Sequence, residues 1–558
     1  MPVYNSDKLY KYLKELQIID IEKLNESYSE SKNQNKLIGE ILLSKDLVSD
    51  ETLGKIIADL IGYPFVKLTE KYINQEVLNL VPENYARAQK VVVFEHNNDE
   101  VYAAMMDPAN LQTREFLRKK TGRKVLPFFA TQRDIARSYS LYSKDVKKAF
   151  DVLLKEGISE AKNKVDDEPP IVKIVQALLE NAYQNNASDV HIEGTQDASI
   201  VRFRIDGILH DIISFPKDIY ERIVGRIKVM AGLRTDEHQK AQDGKIVMNI
   251  DEEDLDVRVS IVPVIEGEKI VLRLLSERAR SFSLLDLGLS EEDIQKVQNA
   301  YQKPHGMILA TGPTGSGKTT SLYAVLKVLN REGVNIMTIE DPVEYDIERI
   351  NQIQPNEKGG LTFAKGLRSI VRQDPDIILV GEIRDNETAD IAINAAMTGH
   401  LVLSTLHTND AATTIPRLYD MQIEPYLIAS TVNVIIAQRL VRKICSPCRV
   451  SEEVGIDSLK DNISKELTEK YFSGEKFRLY KGKGCKICNM TGYSGRIGIY
   501  EVMVVDEDIR KAIGDKMSVV DINKLAINHG MTTMLEDGIR KAQGGITTMD
   551  EVLRVTME

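Results

Sequence analysis

Residues 312–319 read Gly-Pro-Thr-Gly-Ser-Gly-Lys-Thr, the full G-x-x-x-x-G-K-[ST] pattern of a phosphate-binding loop. Gly312, Gly315 and Gly317 let the main chain fold tightly, so that successive N–H groups point at phosphate oxygens. Pro313, Thr314 and Ser316 fill the turn between them. Lys318 can reach β- and γ-phosphates, and the Thr319 hydroxyl can ligate Mg²⁺. Met307–Thr311 predicts a strand before the loop. Thr320, grouped here with the nucleotide-binding residues, opens a helix-compatible stretch to Leu326. That helix adds its positive N-terminal end to the same site. The segment predicts binding of a nucleoside triphosphate.

Two acidic segments follow. Asp376–Val380 reads as a buried strand ending in Gly381-Glu382. A carboxylate there can hold Mg²⁺, directly or through water, or polarise the attacking water. Between strand and loop lies Ile339-Glu340-Asp341-Pro342-Val343-Glu344-Tyr345. Such acids near a triphosphate repel it unless a cation or a proton-transfer role stabilises them, and solvated loop acids are the plainer alternative. His400 and His407 flank Leu401–Leu406, a third strand-like run. An imidazole at a strand end can donate to a γ-phosphate oxygen, although a lone histidine is more often a satisfied structural residue.

All four cysteines fall into Cys445-Ser446-Pro447-Cys448 and Cys485-Lys486-Ile487-Cys488. Two such knuckles fit a tetrahedral Zn²⁺–thiolate site with no open catalytic position. A redox dithiol needs one C-x-x-C beside a thioredoxin-like unit, which is absent, so structural zinc is predicted. The long spacer between the pairs should form a lobe of its own. Arg202–Gly207 alternates like a half-exposed strand ending in a turn. With Arg204, Arg222, Arg226 and Arg258 this region is rich in arginine. Those side chains serve either solubility or, as fingers, a triphosphate on a neighbouring domain or subunit, and sequence alone does not separate the two.

These residues must be positioned by a chain of 558 residues, too long for one core. Apolar content of 42% and charged content of 28% describe an ordinary globular protein. A net charge of −11 argues against a dedicated nucleic-acid binder. The first residues lack a signal peptide's build, and the longest uncharged apolar stretch, Pro425–Gln438, is too short to span a bilayer. With paired cysteines this predicts a cytoplasmic protein without a transmembrane segment. Residues 1–68 read as short amphipathic helices, with Leu9, Leu13 and Leu16, then Leu53, Ile56, Ile57 and Leu60, at helical spacing. Strand-like runs at Val91–Phe94 and Val101–Ala104 begin a small α/β module. Lys155–Pro170 reads as a linker closed by two prolines. A helix near Ile171–Asn185 and strands at Ser199–Ile205, Lys245–Ile250, Asp256–Ile261 and Lys269–Leu275 form a second module. Ser290-x-x-Asp293 resembles a capping box opening the third.

On Gly312–Thr319, Ile339–Tyr345, Leu367–Asp376, Gly381-Glu382-Ile383-Arg384-Asp385 and Thr398–Thr408, the chain resembles the hexameric secretion and type IV pilus ATPases over about residues 165–558. The tetracysteine lobe points to their pilus-extension and type II secretion branch. The resemblance implies an α/β multidomain protein. It has an N-terminal α+β docking domain (1–150), a linker (151–170), a PAS-like α/β second domain (171–280) and a RecA-like P-loop ATPase domain (281–558), with the zinc lobe at about 440–500. It implies ATP, Mg²⁺ and Zn²⁺, the zinc on Cys445, Cys448, Cys485 and Cys488. Glu344 corresponds to the acid that activates water, Glu382 to a magnesium-side glutamate and His407 to a γ-phosphate sensor. Glu340 shares the acidic box as a candidate catalytic acid, and Arg204 and Arg226 stand at family arginine positions. Residues 1–145 resemble the domain that docks such motors to an inner-membrane platform protein. Some relatives bind cyclic di-GMP there, but Leu37–Asp46 lacks the arginine and the second glycine of that pattern, so the ligand is not carried over. His238–Gly244 also departs from the family's paired arginines and proline. The expected function is a cytoplasmic homohexameric motor, held at the membrane through partners and without direct nucleic-acid contact. It would couple ATP hydrolysis to extension of a type IV pilus or a related pseudopilus. Type II secretion is the alternative, ahead of a nucleotide-regulated scaffold or a DNA translocase.

Overall fold

A computed structural model describes residues 4–33, 36–45, 47–68, 71, 73–139, 169–250, 253–275, 283–356, 359–455, 463–472, 476–485, 488 and 490–557. The chain forms two compact units, Met1–Gly39 with Asp50–Ser281, and Glu40–Ser49 with Phe282–Glu558. Among the described residues, no helix is long and apolar enough to cross a membrane.

In the first unit, helices Ser6–Leu16 and Asp50–Ile61 bury Leu9, Leu13, Leu53, Ile56 and Ile57 as their spacing predicts. Leu16 departs from that stripe and is 40% exposed. The helix ends at Gln17, whose φ of 52° diverts the chain before the third leucine is covered. Strands β1 (Val91–His96), β2 (Glu100–Met105) and β3 (Lys124–Phe129) make a three-stranded sheet. The β1–β2 pair is antiparallel and β2–β3 parallel, the latter joined through the helix Leu111–Thr121.

The same unit holds a six-stranded antiparallel sheet, PAS-like in form, ordered β6-β5-β4-β9-β8-β7. Its strands are β4 (Ala187–Gly194), β5 (Ala198–Ile205), β6 (Ile208–Pro216), β7 (Gln242–Ile250), β8 (Glu253–Val264) and β9 (Gly267–Leu275). Helices Pro169–Gln184 and Lys217–Met230 contribute Leu178, Leu179, Ile219 and Ile223 to the core over its apolar face. Residues 155–168 of the expected linker lie outside the described residues. Pro169 and Pro170 instead open the helix, where a missing N–H costs nothing.

The second unit is built on a seven-stranded sheet ordered β12-β11-β13-β14-β10-β15-β18. Its strands are β10 (Gly306–Thr311), β11 (Ile336–Ile339), β12 (Ile350–Ile353), β13 (Ile377–Val380), β14 (Leu401–Leu406), β15 (Val432–Ile444) and β18 (Tyr493–Val504). All neighbours are parallel except β15 and β18. Parallel strands need both faces covered, which is why β10, β11, β13 and β14 read as continuous apolar runs and are buried throughout. The insert between the cysteine pairs forms the ribbon β16 (Arg449–Gly455) with β17 (Lys476–Gly482) and the helix Lys465–Tyr471. This lobe packs Phe472 and Leu479 with Ile539 and Ala542 of the helix Met534–Gln543. Ser290 caps the helix Glu291–Tyr301, but its hydroxyl also donates to Asp293 Oδ2 at 2.8 Å, in place of the reciprocal bond of a capping box. The complete box is one element earlier, between Ser283 and Asp286.

Candidate functional site

The buried strand β10 delivers Thr311 to the loop, and Gly317, at φ 89°, caps the helix Lys318–Leu329. Gly312 has φ 144°, and a Cβ there would lie 2.4 Å from the Gln438 carbonyl oxygen. Only glycine lets β15 come that close. Gln438 Nε2 also donates to the Ser316 carbonyl at 2.8 Å, tying the loop to β15. Lys318 is buried and its Nζ donates to the carbonyls of Gly312 (2.8 Å) and Pro313 (3.1 Å). Burial lowers its pKa, with the Glu382 charge acting in the opposite direction. Among the described residues, the buried Ser316 Oγ has no hydrogen-bond partner. An ammonium resting on its own loop and an orphaned hydroxyl fit a site that receives phosphate oxygens. Pro313, Thr314 and Gly315 are exposed, and Thr319 and Thr320 are half-buried.

The remaining side chains come from the carboxyl ends of the parallel strands, where ligands of open α/β sheets sit. Glu382 follows β13 and pairs with Arg384 and with His407 Nε2 (3.2 Å). His407 follows β14, which is locked to β13 by Ser404 Oγ on the Val380 carbonyl (2.8 Å) and Thr405 Oγ1 on that of Gly381 (2.7 Å). The adjacent Thr408 donates its N–H to Thr311 Oγ1 at 3.0 Å, so this turn is anchored to the residue just before Gly312. His400 sits at the opposite end of β14, where its Nδ1 lies 2.8 Å from the Ala395 carbonyl. Of the two histidines, only His407 lies at the phosphate end.

The acidic box separates into different environments. Glu340 is 2% exposed and receives Tyr323 Oη, Thr338 Oγ1 (2.6 Å) and Gln352 Nε2 (3.2 Å). Glu340, expected among the catalytic acids, is thus enclosed by donors from three side chains. Glu344 is half-buried in the loop after β11, which passes through a cis Asp341–Pro342 bond. Tyr323, Gln352, Gln438 and Thr408 were not predicted as site residues. A tyrosine within an otherwise apolar helical stretch was the one available signal.

In the first unit, Arg204 donates to the Gly207 carbonyl at 2.9 Å and lies 3.6 Å from Asp189. The Nε of Arg226 is buried without a hydrogen-bond partner among the described residues. At the departure His238, the imidazole Nδ1 lies 2.8 Å from Glu268, which also pairs with the fully buried Lys228.

The cysteines come together from both ends of the β16–β17 insert. Their Sγ atoms lie within 4.8 Å of one another, with separations of 3.8 Å (Cys445–Cys485), 3.9 Å (Cys448–Cys488) and 3.7 Å (Cys485–Cys488). Disulfide sulfurs would be about 2.05 Å apart. Four sulfurs about 2.3 Å from a central zinc would be about 3.8 Å apart. Burial raises the Cys445 thiol. Burial also pushes Cys488 up, but N–H groups of Cys485 (3.1 Å) and Gly492 (3.2 Å) aimed at its sulfur help bring it down to about 7. Among the described residues this is the only such cluster of candidate metal ligands.

A phosphate loop at the carboxyl end of β10, with an acid beyond β13 and β14 between them, makes the second unit a RecA-like P-loop ATPase. Residues 164–554 match the Type II/IV secretion system protein family, to which the chain therefore belongs, and residues 61–147 match the MshEN domain. The chain is 35% identical to the type IV pilus assembly ATPase PilB of Myxococcus xanthus, over 98% of each chain. It is 39% identical to the type II secretion system protein E of Pectobacterium carotovorum, over 87% of this chain and 98% of that one. The ATPase DotB of Legionella pneumophila shares the fold, with a TM-score of 0.51 and 21% identity, covering 68% of this chain and 95% of that structure.

Proposed function

We propose that this ATPase is a pilus-extension motor, a cytoplasmic homohexamer held at the inner membrane by a platform protein. The observation that carries the choice is the similarity to a pilus assembly ATPase across 98% of both chains, N-terminal region included. The match to a type II secretion protein supports the second reading, a secretion pseudopilus. The two separate by deletion in the host: loss of surface pili with normal exoprotein secretion supports extension, and the reverse supports secretion.

In this reading the loop N–H groups and Lys318 bind the terminal phosphates, and Thr319 holds Mg²⁺ with Glu382 on the metal side. Water attacks the γ-phosphorus, its proton passes to Glu344, and the bond to the ADP oxygen breaks. His407 reports the γ-phosphate to the turn anchored on Thr311. The cysteines hold one structural Zn²⁺, which closes the β16–β17 lobe. Cyclic di-GMP is not assigned.

A further inference from the structure

The side chains around Glu340 join two elements that the reaction needs in fixed relation. Tyr323 lies in the helix that begins with Lys318 and Thr319, a little over one turn further on, and is 1% exposed. Its hydroxyl donates to Glu340 Oε2 and accepts from Gln352 Nε2 at 3.4 Å. The Tyr323 ring meets the Tyr345 ring edge-on, with centroids 4.7 Å apart at 88°. Gln352, on β12, clamps the other side of this loop. It donates to the Tyr345 carbonyl at 3.1 Å and accepts the Ile347 N–H at 2.8 Å. Glu344 thus stands in a loop whose main chain Gln352 holds at 345 and 347, and whose Tyr345 ring packs on Tyr323, while Gln352 and Tyr323 share Glu340.

We propose that Tyr323 and Gln352 are positioning residues, which fix the Glu344 loop to the phosphate-gripping helix and so place the base relative to the γ-phosphate. This rests on the reading of Glu344 as the base. Burial and the Glu340 charge raise the Tyr323 pKa far above the ordinary phenol range. The hydroxyl stays protonated and acts as a fixed bridge. Orientation is where such a bridge contributes, because a displacement of about 1 Å can cost on the order of a hundredfold in rate.

The test uses full-length protein, steady-state ATPase kinetics and equilibrium binding of a fluorescent ATP analogue. Tyr323→Phe keeps the ring and removes the bridge. It should lower kcat about tenfold while KM and analogue affinity stay within about twofold. The double variant Tyr323→Phe, Glu344→Gln should be no slower than Glu344→Gln alone, because residues acting through one group are not additive. Gln352→Met should behave like Tyr323→Phe, and carries the test if the tyrosine variant does not fold. Wild-type kcat in the single variants, kcat and affinity falling together, or a further tenfold loss in the double variant each overturn the proposal. Wild-type turnover by Glu344→Gln alone would instead sink the assignment of the base.

Discussion

The second unit contains two sites built on opposite plans. The phosphate loop is one continuous segment whose polar groups are left partly unsatisfied. Lys318 rests on its own carbonyls, and Ser316 Oγ has no partner among the described residues. The cysteine cluster joins segments separated by the β16–β17 insert, and its sulfurs lie near one another with N–H groups already aimed at Cys488. A site awaiting a transient anion keeps its donors available. Four thiols drawn from both ends of an insert suit a structural metal that would tie those ends together. Lesions in the first should therefore remove activity and spare the fold, and lesions in the second the reverse.

The largest effect expected is at Lys318→Ala, which should leave no measurable ATP turnover and weak nucleotide binding, with an unchanged melting profile. Normal turnover would break the comparison at its first term. Glu344→Gln should keep ATP affinity and lose about two to four orders of magnitude in hydrolysis. If Glu382→Gln shows that pattern and Glu344→Gln does not, the two acids exchange roles. Replacing Cys485 with serine should abolish one bound zinc per chain and make the β16–β17 lobe the first site of proteolysis, while a fluorescent ATP analogue still binds. Metal analysis finding no zinc in protein purified without chelator would remove the resident ion from the argument.

The smallest effect tests the ribbon between the two sites. Glu501 of β18, paired with Ala437 of β15, has its carboxyl pushed up to about 7, chiefly by burial. The Ala411 N–H, 2.9 Å away, opposes this shift and the Asp410 charge adds to it. The folded-state pKa exceeds that of the unfolded chain. The stability from the protonated form is therefore complete below about pH 4.3 and lost as pH rises through about 7. Glu501→Gln should flatten this decline and raise stability above pH 7 by roughly 3 kcal/mol. Denaturant titrations at pH 5 and pH 8 measure it, and a variant less stable than the parent at pH 8 would show the carboxylate to be favoured there.

Much of the chemistry was legible because it is local. The glycines, Lys318 and Thr319 need no partner from afar to be recognised, and buried parallel strands announce themselves as Met307–Ala310 and Ile377–Val380. What stayed hidden depends on tertiary proximity. Gln438 matters because β15 passes against Gly312, and Gln352 because β12 pairs with β11. Glu340 shared its segment and charge with Glu344, but adjacency in a loop says nothing about which acid faces inward. In the first unit, β4 and β6 escaped notice because Ala187-Ser188-Asp189 and His210-Asp211 interrupt the apolar pattern. The helix Lys217–Met230 hides its stripe among charges. Leu16 kept the period and lost its cover at a left-handed residue that periodicity does not register.

Strand β15 is long for a globular protein, flanked by β18 along nearly its whole length and by β10 over its first half only. Near its middle, Ala437 pairs with Thr311 and Gln438 grips the phosphate loop, and it then runs on beside β18 to Cys445. The seven steps of extended chain from Gln438 to Cys445 span about 23 Å. Tilted as a rigid beam about Gln438, a strand of that length would move its far end by about 2 Å for a tilt of about 5°.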